Sequence, residues 1–339
     1  MKIGPHDIDR NTLIIAEIGV NHEGDFALAR QMIEEAAEAG AHAVKFQTYF
    51  ASKNVYLSNA IDEERFQRTI GFEFSFDQFR ELKALADEKG VIFLSTPFDL
   101  DSLDVIDELC PAIKIASGDL TFHPLLKKAA EKSKPIFLST GMAGEEEIAA
   151  ALQVIEEASS KPLADTVVLL HCVSSYPCPD EHANLETMLW LNERFGVRAG
   201  YSDHTLGIFS AMTAIAMGAQ VVEKHFTYRK EDQTFRDHAI SADKTDMTEL
   251  VENANRIKLV RGSVQKQRNE IEADNAIAMR RSLGAMNALK QGDVLTEQHI
   301  TFLRPASGIP TADFEKVLGS RIARDLERGS ILVQEDLEQ

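Results

Sequence analysis

The chain has 339 residues, 44% of them hydrophobic, and a formal net charge of −18. That length suits one large domain plus a small one with a sizeable core, and that acidity excludes nucleic acid and anionic membranes as partners held through the overall field. Three cysteines without a paired framework, Cys110, Cys172 and Cys178, fit a reducing compartment; with no secretory h-region and no apolar run of membrane-spanning length, the expectation is a cytoplasmic protein with no membrane partner.

In chain order, short β-branched runs alternate with longer amphipathic stretches. The predicted strands are LIIAEIG (13–19), AVKFQTY (43–49), VIFLST (91–96), AIKIAS (112–117), PIFLST (135–140), VVLLHCV (167–173), VRAGYSD (197–203) and VVEKHFT (221–227). Between the first two, Ala27, Met32, Ile33, Ala36 and Ala37 recur at helical spacing, and Gly40 is a C-terminal stop. Asp25 is placed to cap that helix, and the acidic run 144–150 reads as a helix N-terminus. Strand–helix alternation implies parallel strands with helical crossovers. Eight such units over residues 1–265 predict a closed (β/α)8 TIM barrel, with an open doubly wound sheet as the competitor. A polar helical stretch, 245–280, leads out of the barrel, and residues 266–280 of it read as the linker. The remainder, 281–339, is turn-rich and carries an internal repeat: LKQGDVLTEQHI (289–300) lines up with LERGSILVQEDL (326–337).

In a barrel, chemistry gathers where the strands finish, and these strands finish polar. They offer Glu17, Lys45 with Gln47, Thr96, Lys114 with Ser117, Ser139 with Thr140, His171, Ser202 with His204, and Glu223 with His225. An ammonium inside an apolar run is costly unless paired. Lys45 and Lys114 therefore either meet a carboxylate, with Glu17 the candidate, or hold the phosphate or carboxylate of a substrate beside the hydroxyls and N–H groups of Ser117, Gly118, Ser139, Thr140 and Gly141. His204 and His225 sit on neighbouring strand tips. They are either ordinary polar residues of the mouth or ligands of a divalent metal of intermediate hardness; period two puts Glu223 and His225 on one strand face. Cys172 reads as a buried, inert thiol.

AEIGVNHEGD (16–25), AVKFQTY, FLSTPFD (93–99), KIASGD (114–119), LSTGM (138–142), LHCVSSYPCP (170–179), GYSDHT (200–205) and EKHFT (223–227) occur in that order. Together they resemble the sialic acid synthase family, and the tail resembles that family's antifreeze-like SAF domain. The resemblance implies a barrel enzyme, a carbon–carbon bond-forming transferase that condenses phosphoenolpyruvate with an N-acyl-hexosamine and releases phosphate. The sugar would be N-acetylmannosamine or a 6-deoxy-diacetamido relative. It also implies a divalent metal, manganese with magnesium or cobalt as alternatives, and a homodimer whose SAF domain covers the partner's active site. Carried over by motif, His204 and His225 hold the metal; Lys45, Thr96, Lys114, Ser117, Ser139, Ser174 and Ser202 hold phosphoenolpyruvate; Glu17, Gln47 and Glu223 surround the reacting centre; and Tyr176, Asp237 and Arg304 face the sugar, Arg304 from the other subunit.

The chain departs from the family pattern at Val173 and Cys178, where threonines are usual, and at GDLTFHPLL (118–126), which replaces an Asn-Asn-x-Pro-Leu run. These changes lie at the sugar end and leave the hexosamine open. The loop 50–75 is expected to cover the site. Three other readings remain at this level: a phosphoenolpyruvate-dependent aldol-type synthase using a different aldose, a sugar-acid-binding protein without turnover, and a metal-dependent sugar-phosphate lyase or epimerase.

Overall fold

A computed structural model describes residues 1–50, 63–233 and 235–338. They form two compact units, Met1–Gly262 and Ser263–Gln339. The first holds eight parallel strands: β1 (Leu13–Gly19), β2 (Ala43–Thr48), β3 (Ile92–Pro97), β4 (Ile113–Ile115), β5 (Ile136–Ser139), β6 (Val167–Cys172), β7 (Arg198–Asp203) and β8 (Val221–His225). The hydrogen-bonded order is β3-β2-β1-β8-β7-β6-β5-β4. Pairing of the first strand with the last, from Val221 opposite Leu13 to His225 opposite Glu17, bends the sheet round into a nearly closed barrel and rules out the open doubly wound alternative. The strands are buried along almost their whole length, as a parallel sheet must be when helices cover its outer face.

Helices α1 (Phe26–Glu38), α2 (Phe76–Glu88), α3 (Leu100–Leu109), α4 (His123–Glu131), α5 (Glu145–Ala158), α6 (Glu186–Phe195), α7 (Phe209–Met217) and α8 (Lys244–Arg261) alternate with the strands. Asp25 caps α1 by accepting from the N–H groups of Ala27 and Leu28. Met32, Ile33 and Ala36 face the core as their spacing predicts, but Ala29 rather than Ala27 completes the stripe. Glu145, Glu146 and Glu147 open α5 at the positive end of its dipole. Of the loop expected over the site, residues 51–62 lie outside the described residues; its far end forms a helix, Glu63–Gly71, and the Ser75 cap of α2.

The β1–α1 loop is locked by a neutral histidine. His22 is 1% exposed; its Nδ1 accepts from the Gly24 N–H at 3.1 Å, and its ring stacks on Phe74 at 4.2 Å. Burial pushes its pKa down to about 3. The unfolded chain binds this proton below about pH 6.5 and the folded chain does not, so stability is full above that pH and is lost as the pH falls towards 3. At pH 5 the loss amounts to about 2 kcal/mol. Thermal melts at pH 7 and pH 5 should therefore show a smaller drop for His22→Asn, whose amide oxygen keeps an acceptor near Gly24. Equal drops in both proteins would mean that the folded state takes the proton readily.

Residues 245–280 are not one helical stretch. Helix α8 stops at Gly262, which adopts a positive φ of 55°, and a separate short helix, Ala273–Met279, follows. The second unit realises the repeat. Leu289 and Leu326 pair with each other through both backbone N–H groups. Gly292 and Gly329 take matching φ values of 88° and 84°, which only glycine adopts without strain. Leu295 and Leu332 are buried in one apolar cluster with Ile300 and Leu337. The short turns Glu297–His299 and Gln334–Asp336 fall at equivalent places. β9 (Ser282–Ala285) and β10 (Ile300–Leu303) pair antiparallel. No helix among the described residues is long and apolar enough to cross a membrane.

Candidate functional site

Parallel register builds the mouth row by row. Glu17 lies opposite Lys45 on β2 and opposite His225 on β8; Gln47 lies opposite Thr96, and Ser202 opposite Glu223. The β1–β2 register slips between Glu17 and Gly19. Gly19 has a φ of 56°, and a Cβ there would stand 3.2 Å from Glu17 Oε1 and 3.3 Å from Gln47 Nε2, so a side chain at 19 would press on both.

Three groups of side chains result. In the first, the Lys45 ammonium sits 2.7 Å from Glu17 Oε2 and 3.7 Å from Glu223 Oε2 and donates to Thr96 Oγ1 at 2.8 Å. Gln47 Nε2 donates to Glu17 Oε1 at 3.4 Å, and Ser202 donates to Glu223 Oε1 at 3.0 Å. Two buried carboxylates thus share one lysine, and their environments pull them apart. Burial pushes Glu17 up to about 7, against the charge of Lys45 and with that of Glu223. Burial would raise Glu223 too, but Lys114, Lys45 and the Ser202 hydroxyl hold it below the ordinary range. Burial would lower Lys45, and the two carboxylates outweigh it.

The second group is a cation without such a partner. Lys114, 3% exposed, donates to Ser139 Oγ at 2.7 Å and to the Ile115 carbonyl at 3.0 Å, and among the described residues no carboxylate stands within ion-pair distance. Burial holds its pKa below the ordinary lysine value, against the pull of the Glu223 charge. Ser117 Oγ accepts from the Gly141 N–H at 3.0 Å. A Cβ on Gly141 would come 2.8 Å from Ser117 Oγ and would also meet Ser174 Oγ, which places both serines at this turn.

The third group is aromatic and imidazole. The His204 and His225 ring centroids are 5.4 Å apart. Tyr176 packs on both, at 4.2 Å and 6.2 Å, and the Arg236 guanidinium lies 4.9 Å over the Tyr176 ring while Nε donates to Asp237 at 3.2 Å. His204 Nδ1 is bound to the Val173 carbonyl at 2.8 Å, which leaves Nε2 as the lone-pair nitrogen, the orientation a metal-ligating imidazole takes. His225 Nδ1 is buried without a hydrogen bond to any described group. Burial above all holds His225 well below its usual pKa, so its ring is neutral, as a ligand must be. This donor set fits a divalent ion. Among the described residues no three His, Cys, Asp or Glu side chains converge as a complete cage, so other positions would fall to substrate and water.

Some polar tips are spent elsewhere. His171 Nε2 is bound to the Ala183 carbonyl at 2.7 Å, and its ring stacks on Tyr201. The Thr140 hydroxyl and N–H both go to the Leu170 carbonyl, so Thr140 offers no donor to a ligand. Cys172 is buried, and its Sγ is 3.7 Å from His204 Nδ1. Arg304 belongs to the second unit, where Nε donates to the Met279 carbonyl at 2.7 Å. Arg236 was not singled out from the sequence; a cation beside Asp237 was the available signal. Lys224 was also passed over, although it interrupts an apolar strand just as Lys45 and Lys114 do.

Residues 32–266 match the NeuB family and residues 280–338 match the SAF domain. The chain is 38% identical to the N,N'-diacetyllegionaminic acid synthase of Campylobacter jejuni, over 95% of this chain and 99% of that protein. It is 31% identical to the N-acetylneuraminate-9-phosphate synthase of Homo sapiens, over 95% and 91%. The crystal structure of the N-acetylneuraminic acid synthetase from Leptospira borgpetersenii in complex with citrate superposes with a TM-score of 0.74 at 34% identity, over 81% of this chain and 94% of that one. A barrel whose strand tips bear these groups, followed by a duplicated C-terminal unit, accords with matches of that extent, and the chain belongs to the NeuB family of sialic acid synthases.

Proposed function

We propose that this chain condenses phosphoenolpyruvate with the open-chain form of an N-acyl-hexosamine, N-acetylmannosamine or a 6-deoxy-diacetamido relative, and releases phosphate. The observation that carries the reading is Lys114: a buried ammonium held, among the described residues, only by neutral acceptors, beside the Ser139, Ser117 and Ser174 hydroxyls. That combination calls for an anion.

In this reading Lys114, Ser117, Ser139 and Ser174 take the phosphate end of phosphoenolpyruvate. Lys45 and Thr96 line the neighbouring wall and hold its carboxylate end near the reacting carbons; Ser202, expected there too, gives its hydroxyl proton to Glu223. C3 of phosphoenolpyruvate bonds to the aldehyde carbon, whose oxygen takes up a proton and becomes a hydroxyl; water adds to C2 and gives up one proton; and phosphate leaves with its bridging oxygen by C–O cleavage as the new C2 hydroxyl loses its proton and becomes the ketone. A divalent cation on His204 and His225, manganese foremost, would act as a Lewis acid on the aldehyde oxygen. Glu17, poised near neutrality, takes the proton of the attacking water, with Gln47 orienting it. Glu223 stays ionised and offsets charge in the same pocket. Tyr176 and Asp237 face the sugar. By family resemblance the reading extends to a homodimer in which Arg304 of the second copy also reaches the sugar; sedimentation of purified protein tests the dimer, and a monomer that turns over would remove that part.

The deciding experiment is phosphate release with phosphoenolpyruvate and Mn2+ against a panel of N-acyl-hexosamines, with a chelator control. Chelator-sensitive release with one sugar supports the proposal and names the substrate. Saturable sugar-acid binding without release would replace it with a binding role. A further expected result concerns the turn at Gly141. Gly141→Ala should weaken phosphoenolpyruvate roughly tenfold, because the added methyl displaces the Ser117 and Ser174 hydroxyls, while the melting temperature holds. Unchanged affinity would remove that turn from the anion site.

A further inference from the structure

Three lysines interrupt the barrel strands, and the third faces away from the mouth. Lys224 and Asp203 are both 0% exposed. They are opposite each other in the β7–β8 ladder, with Lys224 Nζ 3.0 Å from Asp203 Oδ2. Period two sends both to the side of the sheet opposite Ser202, Glu223 and His225.

The pair is tied to one further residue. Lys224 Nζ donates to the Thr205 carbonyl at 2.6 Å, and Asp203 Oδ1 accepts from the Thr205 N–H and hydroxyl, each at 2.8 Å. Thr205 is itself buried. The residues on either side of His204 are thereby clamped to the residue that stands between Glu223 and His225. A fully buried ion pair is weak evidence of added stability, because apolar residues of like volume often serve as well. Its value here is geometric: it sets where the β7 turn leaves the strand relative to the end of β8.

We infer that the Lys224–Asp203–Thr205 clamp is a positioning device that fixes the separation and orientation of the His204 and His225 imidazoles. The inference rests on the reading of those imidazoles as metal ligands. None of the three residues touches the metal or substrate; they act through the backbone of the two strand ends.

Lys224→Met alone strands the Asp203 carboxylate in the interior and is expected to unfold more readily, so the informative variant is Lys224→Met/Asp203→Asn. It removes both charges and keeps an acceptor for Thr205. Free Mn2+ is titrated by its electron paramagnetic resonance signal against wild type and variant, with thermal melts in parallel. The expected result is a melting temperature within a few degrees of wild type and Mn2+ affinity weakened at least tenfold. Thr205→Val, which removes only the hydroxyl bond to Asp203, should weaken Mn2+ about threefold, and it decides the matter should the double variant not fold. Native Mn2+ affinity in a folded variant would overturn the inference and leave the metal reading standing. Absence of Mn2+ binding by wild type would overturn both.

Discussion

Lys114→Met should abolish phosphoenolpyruvate binding without harming the fold. The ammonium is buried, and its hydrogen bonds go to Ser139 and a backbone carbonyl rather than to a carboxylate. Removing it relieves a desolvation cost, and Glu223, which Lys114 helps to keep ionised, retains Lys45 and Ser202 beside it. The melting temperature is therefore expected to hold or rise. A charge-assisted bond to an anion in such a site is worth several kcal/mol, so kcat/KM for phosphoenolpyruvate should fall by roughly 1,000-fold or more. Lys45→Met gives the contrasting result. It leaves Glu17 and Glu223 together in the interior without their shared cation, and about 3–5 kcal/mol of stability should be lost. Calorimetric titration with phosphoenolpyruvate and melts of both variants check the pair. A Lys114→Met protein that loses stability but keeps its affinity would make that lysine structural and remove the main support for the anion site.

Glu17→Gln should lower kcat by roughly 100- to 10,000-fold and remove a pH dependence. Burial pushes the Glu17 carboxyl up to about 7; its ionised, proton-accepting form therefore grows as pH rises through neutrality. Wild-type kcat should climb between pH 6 and pH 8 and level off above. Glu17→Gln keeps the shape and a hydrogen bond but cannot accept a proton, so its residual rate should be flat across that range. Lys45 would keep Glu223 as a carboxylate neighbour, which should limit the loss of stability. An unchanged rise in Glu17→Gln would assign the titration to another group. Glu223 is the less suitable candidate, since Lys114, Lys45 and Ser202 keep it ionised throughout.

Much of the architecture is written locally. Each predicted strand is a β-branched run that ends in polar residues, and all eight form within two residues of their predicted bounds, because a parallel strand buried on both faces has few other sequences available to it. The Asp25 cap and the acidic start of α5 were legible for the same reason: each depends on residues a few positions apart; the tail repeat was legible as one short local pattern that occurs twice. The break at Gly262 was missed because the polar residues on either side suit a helix, although the glycine itself marks a helix end as Gly40 does after α1.

The candidate site divides along the same line. Residue types and the alternation of strand faces placed Glu17, Lys45, Thr96, Lys114, Ser139, Ser202, His204, Glu223 and His225 at strand ends. They could not say which lysine would meet a carboxylate. Lys45 and Lys114 occupy nearly identical local sequences, yet the register that sets Lys45 opposite Glu17 gives one an ion pair and leaves the other to neutral acceptors. His171 and Thr140 looked as available as their neighbours until carbonyls of Ala183 and Leu170 claimed them. Lys224, not considered from the sequence, lies behind the mouth, ion-paired to Asp203. The elements, the faces of the strands and the chemical kinds of group at the mouth follow from local periodicity and side-chain type, and so could be read from the amino acids alone. Closure of β1 on β8, the pairing of charges and the spacing of the imidazoles each depend on contact between residues far apart in the chain, which periodicity does not encode, so they emerge only when the chain is folded.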